Sequence, residues 1–219
     1  MYRKKVKMIV LLSALAAVIA LIVVWFGVTQ PLFSRPTIKV PVAVEPERLE
    51  AQVRMLSKMF VPRDYTHPEN LERAAAYIHK EFEQAQGIVS DQPYEMEGIS
   101  YRNVIASFGP DTKERIVVGK HYDAFGGFPA ADDNASGVAG LIELAYLFGK
   151  ASLPLRVELV AFTLEEPKTP AGDGLFRTVG GSKVHAESLR NQGVSVRLML
   201  SLEMIGYFSD EEGSQGYAT

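Results

Sequence analysis

Cysteine does not occur in this 219-residue chain, which excludes disulfides, thiolate zinc sites and a cysteine nucleophile. No Gly-x-Ser-x-Gly and no phosphate-binding glycine loop is present either, so serine-hydrolase and nucleotide chemistry have no support. A basic stripe is also lacking. Arg3, Lys4, Lys5 and Lys7 crowd the first seven residues, and the rest of the chain sets 19 basic against 26 acidic residues, a net of -7. A mildly acidic body of that kind argues against nucleic acid as a partner. Internal repeats and low-complexity tracts are missing as well. The chain as a whole is 47% hydrophobic and 22% charged, an ordinary globular composition long enough for one sizeable core.

The longest apolar run, residues 8–28, contains no charge. At about 1.5 Å per helical residue it covers the roughly 30 Å hydrocarbon core of a bilayer. The expected organisation is a basic cytoplasmic tail at 1–7, a transmembrane anchor at 8–28, a proline-bearing linker at 29–44 and a catalytic domain at 45–219. The basic tail predicts a single-pass protein with its catalytic domain on the extracytoplasmic side, periplasmic or extracellular. A cleaved signal peptide is the rival, but its apolar region would normally be only about 7–15 residues long.

Helices are predicted at 46–59 and 70–86, the second with Asn70 as N-cap and Leu71, Ala74, Ala75, Ile78 and Phe82 at helical spacing. Gly87 is expected to end it. Further on, 101–108, 115–120, 155–162 and 197–202 are short apolar runs with strand character, separated by helical patterns at 135–150 and 182–191. This predicts an α/β fold: a mixed, largely parallel central sheet with helices on both faces.

Polar clusters fall where those strands end. His121-Tyr122-Asp123 follows the second run, Glu165-Glu166 the third and Glu203 the fourth, while Asp132-Asp133-Asn134 opens a helix. Ligands of open α/β sheets bind outside the carboxyl ends of the strands. Carboxylates gathered there repel one another unless cations are present. Imidazole with carboxylate oxygens suits zinc, with manganese and cobalt as alternatives, and a carboxylate can bridge two ions. Adjacent glutamates could divide the labour, one binding metal and one moving protons.

These residues, with Ala131–Gly137 (ADDNASG), Gly181-Ser182 and Glu203-Met204-Ile205-Gly206, resemble the co-catalytic zinc aminopeptidase family, which includes glutamate carboxypeptidases and glutaminyl cyclases. The resemblance implies a zinc-exopeptidase fold and a peptide substrate. His121 and Glu203 would bind one Zn2+, Asp133 would bridge two, and Glu166 would bind the second. Glu165 would be the general acid/base, and Asp123 would orient His121. A cis peptide between Asp133 and Asn134 is implied too. The chain departs from many relatives in carrying Leu164 where they have glycine, and Glu203 where they have aspartate.

The resemblance also implies a further histidine ligand for the second zinc. The other histidines, His67, His79 and His185, read as solvated or packed surface residues, so the chain is expected to be truncated before its site is complete and to lack normal peptidase activity. Two alternatives stay open beside the aminopeptidase: a glutaminyl cyclase-like acyltransferase, and an inactive membrane-tethered domain.

Overall fold

The computed structural model describes residues 2–29, 44–166, 180–207 and 211. The chain divides into two compact units, Met1–Val42 and Ala43–Thr219. In the first, helix α1 (Tyr2–Thr29) contains one stretch, Arg3–Trp25, long and apolar enough to cross a membrane. Nearly all of the linker expected at 29–44 lies outside the described residues.

The second unit is a five-stranded mixed sheet between helices. Its elements are α2 (Pro46–Arg54), α3 (Pro68–Gln84), β1 (Ile88–Met96), β2 (Ile99–Phe108), β3 (Glu114–His121), α4 (Gly137–Phe148), β4 (Arg156–Phe162), α5 (Gly181–Asn191) and β5 (Ser195–Ser201). Strand order is β1-β2-β4-β3-β5. β1 and β2 pair antiparallel with their neighbours, while β4, β3 and β5 run parallel. The parallel half is the half that carries the polar clusters.

Side-chain alternation along the strands explains the layering. Val104, Ala106, Phe108, Leu159 and Ala161 face a large core with Leu71, Ile78 and Phe82 of α3 and Val138, Leu141 and Ile142 of α4. Val117, Val160 and Phe162 point the other way, against Leu189 of α5. The apolar residues of the inner strands β3 and β4 are covered on both sides, Val118 and Leu159 by the large core and Val117 and Val160 by the smaller one, as in buried parallel strands. Each fully buried Ile or Phe contributes about 1.5–3 kcal/mol. β5 occupies an edge and is exposed along its length.

Several helix boundaries differ from expectation. α3 starts earlier, with Pro68 in its first turn, where a missing N–H costs nothing. Asn70 is therefore inside the helix, and its side chain donates to the Pro62 carbonyl (2.8 Å). α3 also ends at Gln84, with Gln86 rather than Gly87 adopting a left-handed φ of 64°. Likewise α4 begins at Gly137, because Ala131–Ser136 form an irregular turn whose Asp133 and Asn134 leave helical geometry. The bond between those two residues is cis.

Candidate metal centre

Three neighbouring parallel strands converge on one point. β3 ends at His121, Glu165 and Glu166 follow β4, and Glu203 follows β5. His121 Nε2 lies 3.3 Å from Asp133 Oδ1, 3.5 Å from Glu166 Oε1 and 3.5 Å from Glu203 Oε1. His121, Asp133 and Glu203 each offer a ligand atom within 4.8 Å of the other two. Glu166, expected at a second ion, stands close to the same nitrogen.

The donor set fits a divalent cation. Asp133 Oδ1 is buried and has no hydrogen-bond partner among the described residues, an arrangement that calls for an ion or water. One imidazole among three carboxylates is zinc-like chemistry. The field favours positive charge too. Burial disfavours an imidazolium at His121, yet Asp123 at Nδ1 and the Glu166 carboxylate outweigh it and hold the ring above the ordinary histidine range. Burial would lift Asp123 similarly, but His121 and two backbone N–H groups keep it below the usual carboxylate range.

Neighbours fix each donor. The His121 Nδ1 is 3.1 Å from the Asp123 carbonyl and 3.5 Å from its Oδ1, while Asp123 Oδ2 accepts from the Glu166 N–H at 2.9 Å. Asn134 Nδ2 donates to Glu203 Oε1 at 2.8 Å. The other Glu203 oxygen pairs with the ammonium of Lys120, a side chain only 1% exposed. Burial raises Glu203, but Lys120 and His121 outweigh it and hold the carboxyl below its usual range. Gly137 makes room for the lysine: a Cβ there would lie 2.6 Å from the Lys120 stem.

Glu165 is held differently. Its carboxylate accepts from the N–H of Ser182 (2.7 Å) and from its hydroxyl (2.9 Å), at the start of α5. Gly181 is required beside it, since a Cβ would fall 2.1 Å from Asn103 Oδ1. Just before Glu165, Leu164 has φ 59°, a region that suits glycine and costs other residues roughly 1–2 kcal/mol. The leucine side chain is 1% exposed within the main core, and its burial offsets that strain.

Sequence reasoning alone does not single out Lys120 or Arg63, and it names Asn134 and Ser182 only within longer motifs, with no role of their own. Lys120 does leave a signal, a cation directly after the apolar stretch 116–119; the others gain meaning only from long-range contacts. Among the described residues His67, His79 and His185 stay outside the cluster. His67 bonds Asp64 and Thr66, and His79 bonds Asp91. His185 corrects the surface reading: it is buried under α5 beside Phe162.

Residues 103–218 match the family model Peptidase family M28, and the chain belongs to that family. It is 40% identical over 185 residues to the uncharacterized protein YfbL of Escherichia coli (strain K12), covering 81% of this chain and 55% of YfbL. It is 29% identical over 126 residues to a probable zinc metalloprotease of Pyrenophora teres f. teres, covering 53% of this chain and 25% of that protein. The chain thus spans about half of the first relative and a quarter of the second. In fold it is similar to a glutaminyl cyclase of Bacteroides thetaiotaomicron bound to N-acetylhistamine, with TM-score 0.63, 22% identity, and 75% of this chain and 63% of that one covered. A leucine aminopeptidase precursor from the same species gives TM-score 0.61 at 21% identity, covering 75% and 64%.

Proposed function

We propose that these residues form the metal-binding part of a membrane-anchored zinc exopeptidase, one that removes amino-terminal residues from peptides. The observation that carries this reading is the convergence of Asp133, Glu166 and Glu203 on the single Nε2 of His121. Family membership and the probable zinc metalloprotease among the relatives support it. Zinc bound there would acidify a water and polarise the scissile carbonyl.

The protein's own groups do the rest. With its Nδ1 proton on Asp123, the His121 ring presents the Nε2 lone pair to an ion. Asp133, with its unpartnered oxygen, is suited to bridge two. Glu165 carries no ion in this reading: it takes the proton of the attacking water and returns it to the departing nitrogen. Ser182 aims that carboxylate with two hydrogen bonds. α1 anchors the protein in a bilayer, its four basic residues on the cytoplasmic side.

The test compares this chain with a chimaera extended by the matching C-terminal portion of YfbL. Bound zinc per chain and release of amino-terminal residues from a peptide are measured, with cyclisation of a glutamine-leading peptide run alongside. In the chimaera, Glu165→Gln is expected to retain zinc while turnover falls about 10²–10⁴-fold. Undiminished turnover in that variant would remove Glu165 from its role, and cyclisation without hydrolysis would reassign the reaction.

A further inference from the structure

Arg63 lies 58 residues before His121, in the loop between the turn Met55–Met59 and α3. Its side chain is completely buried, at 0% exposed. Among the described residues its side chain makes four hydrogen bonds, all to backbone carbonyls. Nε donates to Tyr122 (2.9 Å), Nη1 to Leu56 (2.8 Å) and Pro129 (2.9 Å), and Nη2 to Ala130 (2.8 Å). The Arg63 carbonyl in turn accepts the N–H of Ala124 at 2.9 Å.

Those partners have one thing in common. Tyr122 sits between His121 and Asp123, and Ala130 immediately precedes the turn that carries Asp133. One residue therefore grips both ends of the loop that joins two of the candidate ligands. Ala130 has a left-handed φ of 48°, so the chain changes direction where the guanidinium holds it. Burial lowers the guanidinium to about 10, with the charges of Asp123 and Asp133 opposing that fall, so it stays cationic at neutral pH. Burying such a charge is costly unless its donors are satisfied. A planar fork of five N–H groups can serve carbonyls in several directions at once, whereas a lysine ammonium is a point donor on a flexible stem.

We propose that Arg63 is a positioning residue of the metal centre, clamping the 122–130 loop at both ends and thereby setting the separation of His121 and Asp133. This rests on the metal-site reading under the proposed function. Side chains that act through ligands typically change metal affinity by about 10–100-fold. Arg63→Lys is expected to weaken zinc binding by that factor.

The experiment uses the full chain in detergent. Zinc affinity is read by competition with a chromophoric chelator, the cobalt-substituted absorption spectrum reports ligand geometry, and urea unfolding in EDTA reports the fold. Phe82→Leu, in the α3 core, serves as a destabilised control that leaves the loop untouched. Arg63→Lys should lose zinc affinity and shift the cobalt spectrum well beyond that control; equal behaviour of the two variants overturns the proposal.

A second arm leaves Arg63 in place. A Cβ built on Gly126 or Gly127 meets nothing within 4 Å, so two extra glycines fit between them. If the ends are clamped, loop length is immaterial, and zinc affinity should stay within about threefold because lengthening a loop costs little. A tenfold loss overturns the clamp. A wild-type chain that binds no zinc overturns the metal centre and this inference together, whereas wild-type binding with an indifferent Arg63→Lys overturns this inference alone.

Discussion

His121 and His185 are both buried, at 7% and 5% exposed, and each lies near carboxylate. Their chemistry is opposite. His121 is held above the ordinary histidine range because Asp123 engages one ring nitrogen and three carboxylates surround the other. His185 is pushed down to about 4 by burial and by the charge of Arg115. Neither of its ring nitrogens has a hydrogen-bond partner among the described residues. Glu158 Oε2 is 3.8 Å away and has no hydrogen-bond partner among the described residues, while Oε1 of the same carboxylate meets Arg115 at 2.5 Å and Arg156 at 3.3 Å. Burial alone therefore does not make a ligand. One carboxylate shared with two arginines leaves an imidazole neutral, while three carboxylates around a single nitrogen build a cation site.

The largest effect should come from His121→Ala. It is expected to lower zinc affinity more than about 100-fold, since a ligand outweighs the roughly 10–100-fold of its supporting groups. In EDTA it should also lower stability by about 3 kcal/mol, because Asp123 is left buried without its partner. His185→Gln should leave zinc binding unchanged. A zinc deficit in the His185 variant as large as that of His121→Ala would collapse the distinction.

Asp123→Asn sharpens the same contrast from the side of the partner. The amide keeps the shape and can still accept the Glu166 N–H, but it no longer balances positive charge at His121. Zinc affinity is expected to fall about 10–100-fold, read by chelator competition. An unchanged affinity would mean that the Asp123 carbonyl, at 3.1 Å from Nδ1, suffices to orient the ring.

The contrast between the histidines also marks how far sequence carries. His121, Asp133, Glu166 and Glu203 were legible because each stands at or just past a strand end or a helix start, and strand ends of an α/β sheet share one edge. β2 to β5 were legible from short apolar runs, though the more polar β1 was not, and α3 from its five buried positions at helical spacing. Helix starts were less so: Pro68 is a better first-turn residue than Asn70 is a cap, which local propensity does not rank. Arg63 and His185 were opaque. Their burial depends on carbonyls 59 to 67 residues away, or on the packing of α5 over β4, and no periodicity encodes either.

The smallest effect concerns pH and the histidine outside the cluster. An unfolded histidine titrates near 6.5, and His185 in the fold only near about 4. Between those values the unfolded chain binds a proton that the folded chain refuses, so stability rises with pH across that window and falls as the medium is acidified. From pH 7 to pH 5 the loss from this one group should be about 1–2 kcal/mol. His121, with its pKa raised, acts with the opposite sign, its contribution being present below about 6.5 and lost as pH rises through its folded value. Urea midpoints measured in EDTA at pH 7 and pH 5 separate the two. His185→Gln should remove a stability loss on acidification, and His121→Ala should make that loss larger. If His185→Gln leaves the pH 5 penalty intact, then His185 is protonated in the fold. Its partner would then be Glu158 Oε2, the oxygen that neither Arg115 nor Arg156 contacts.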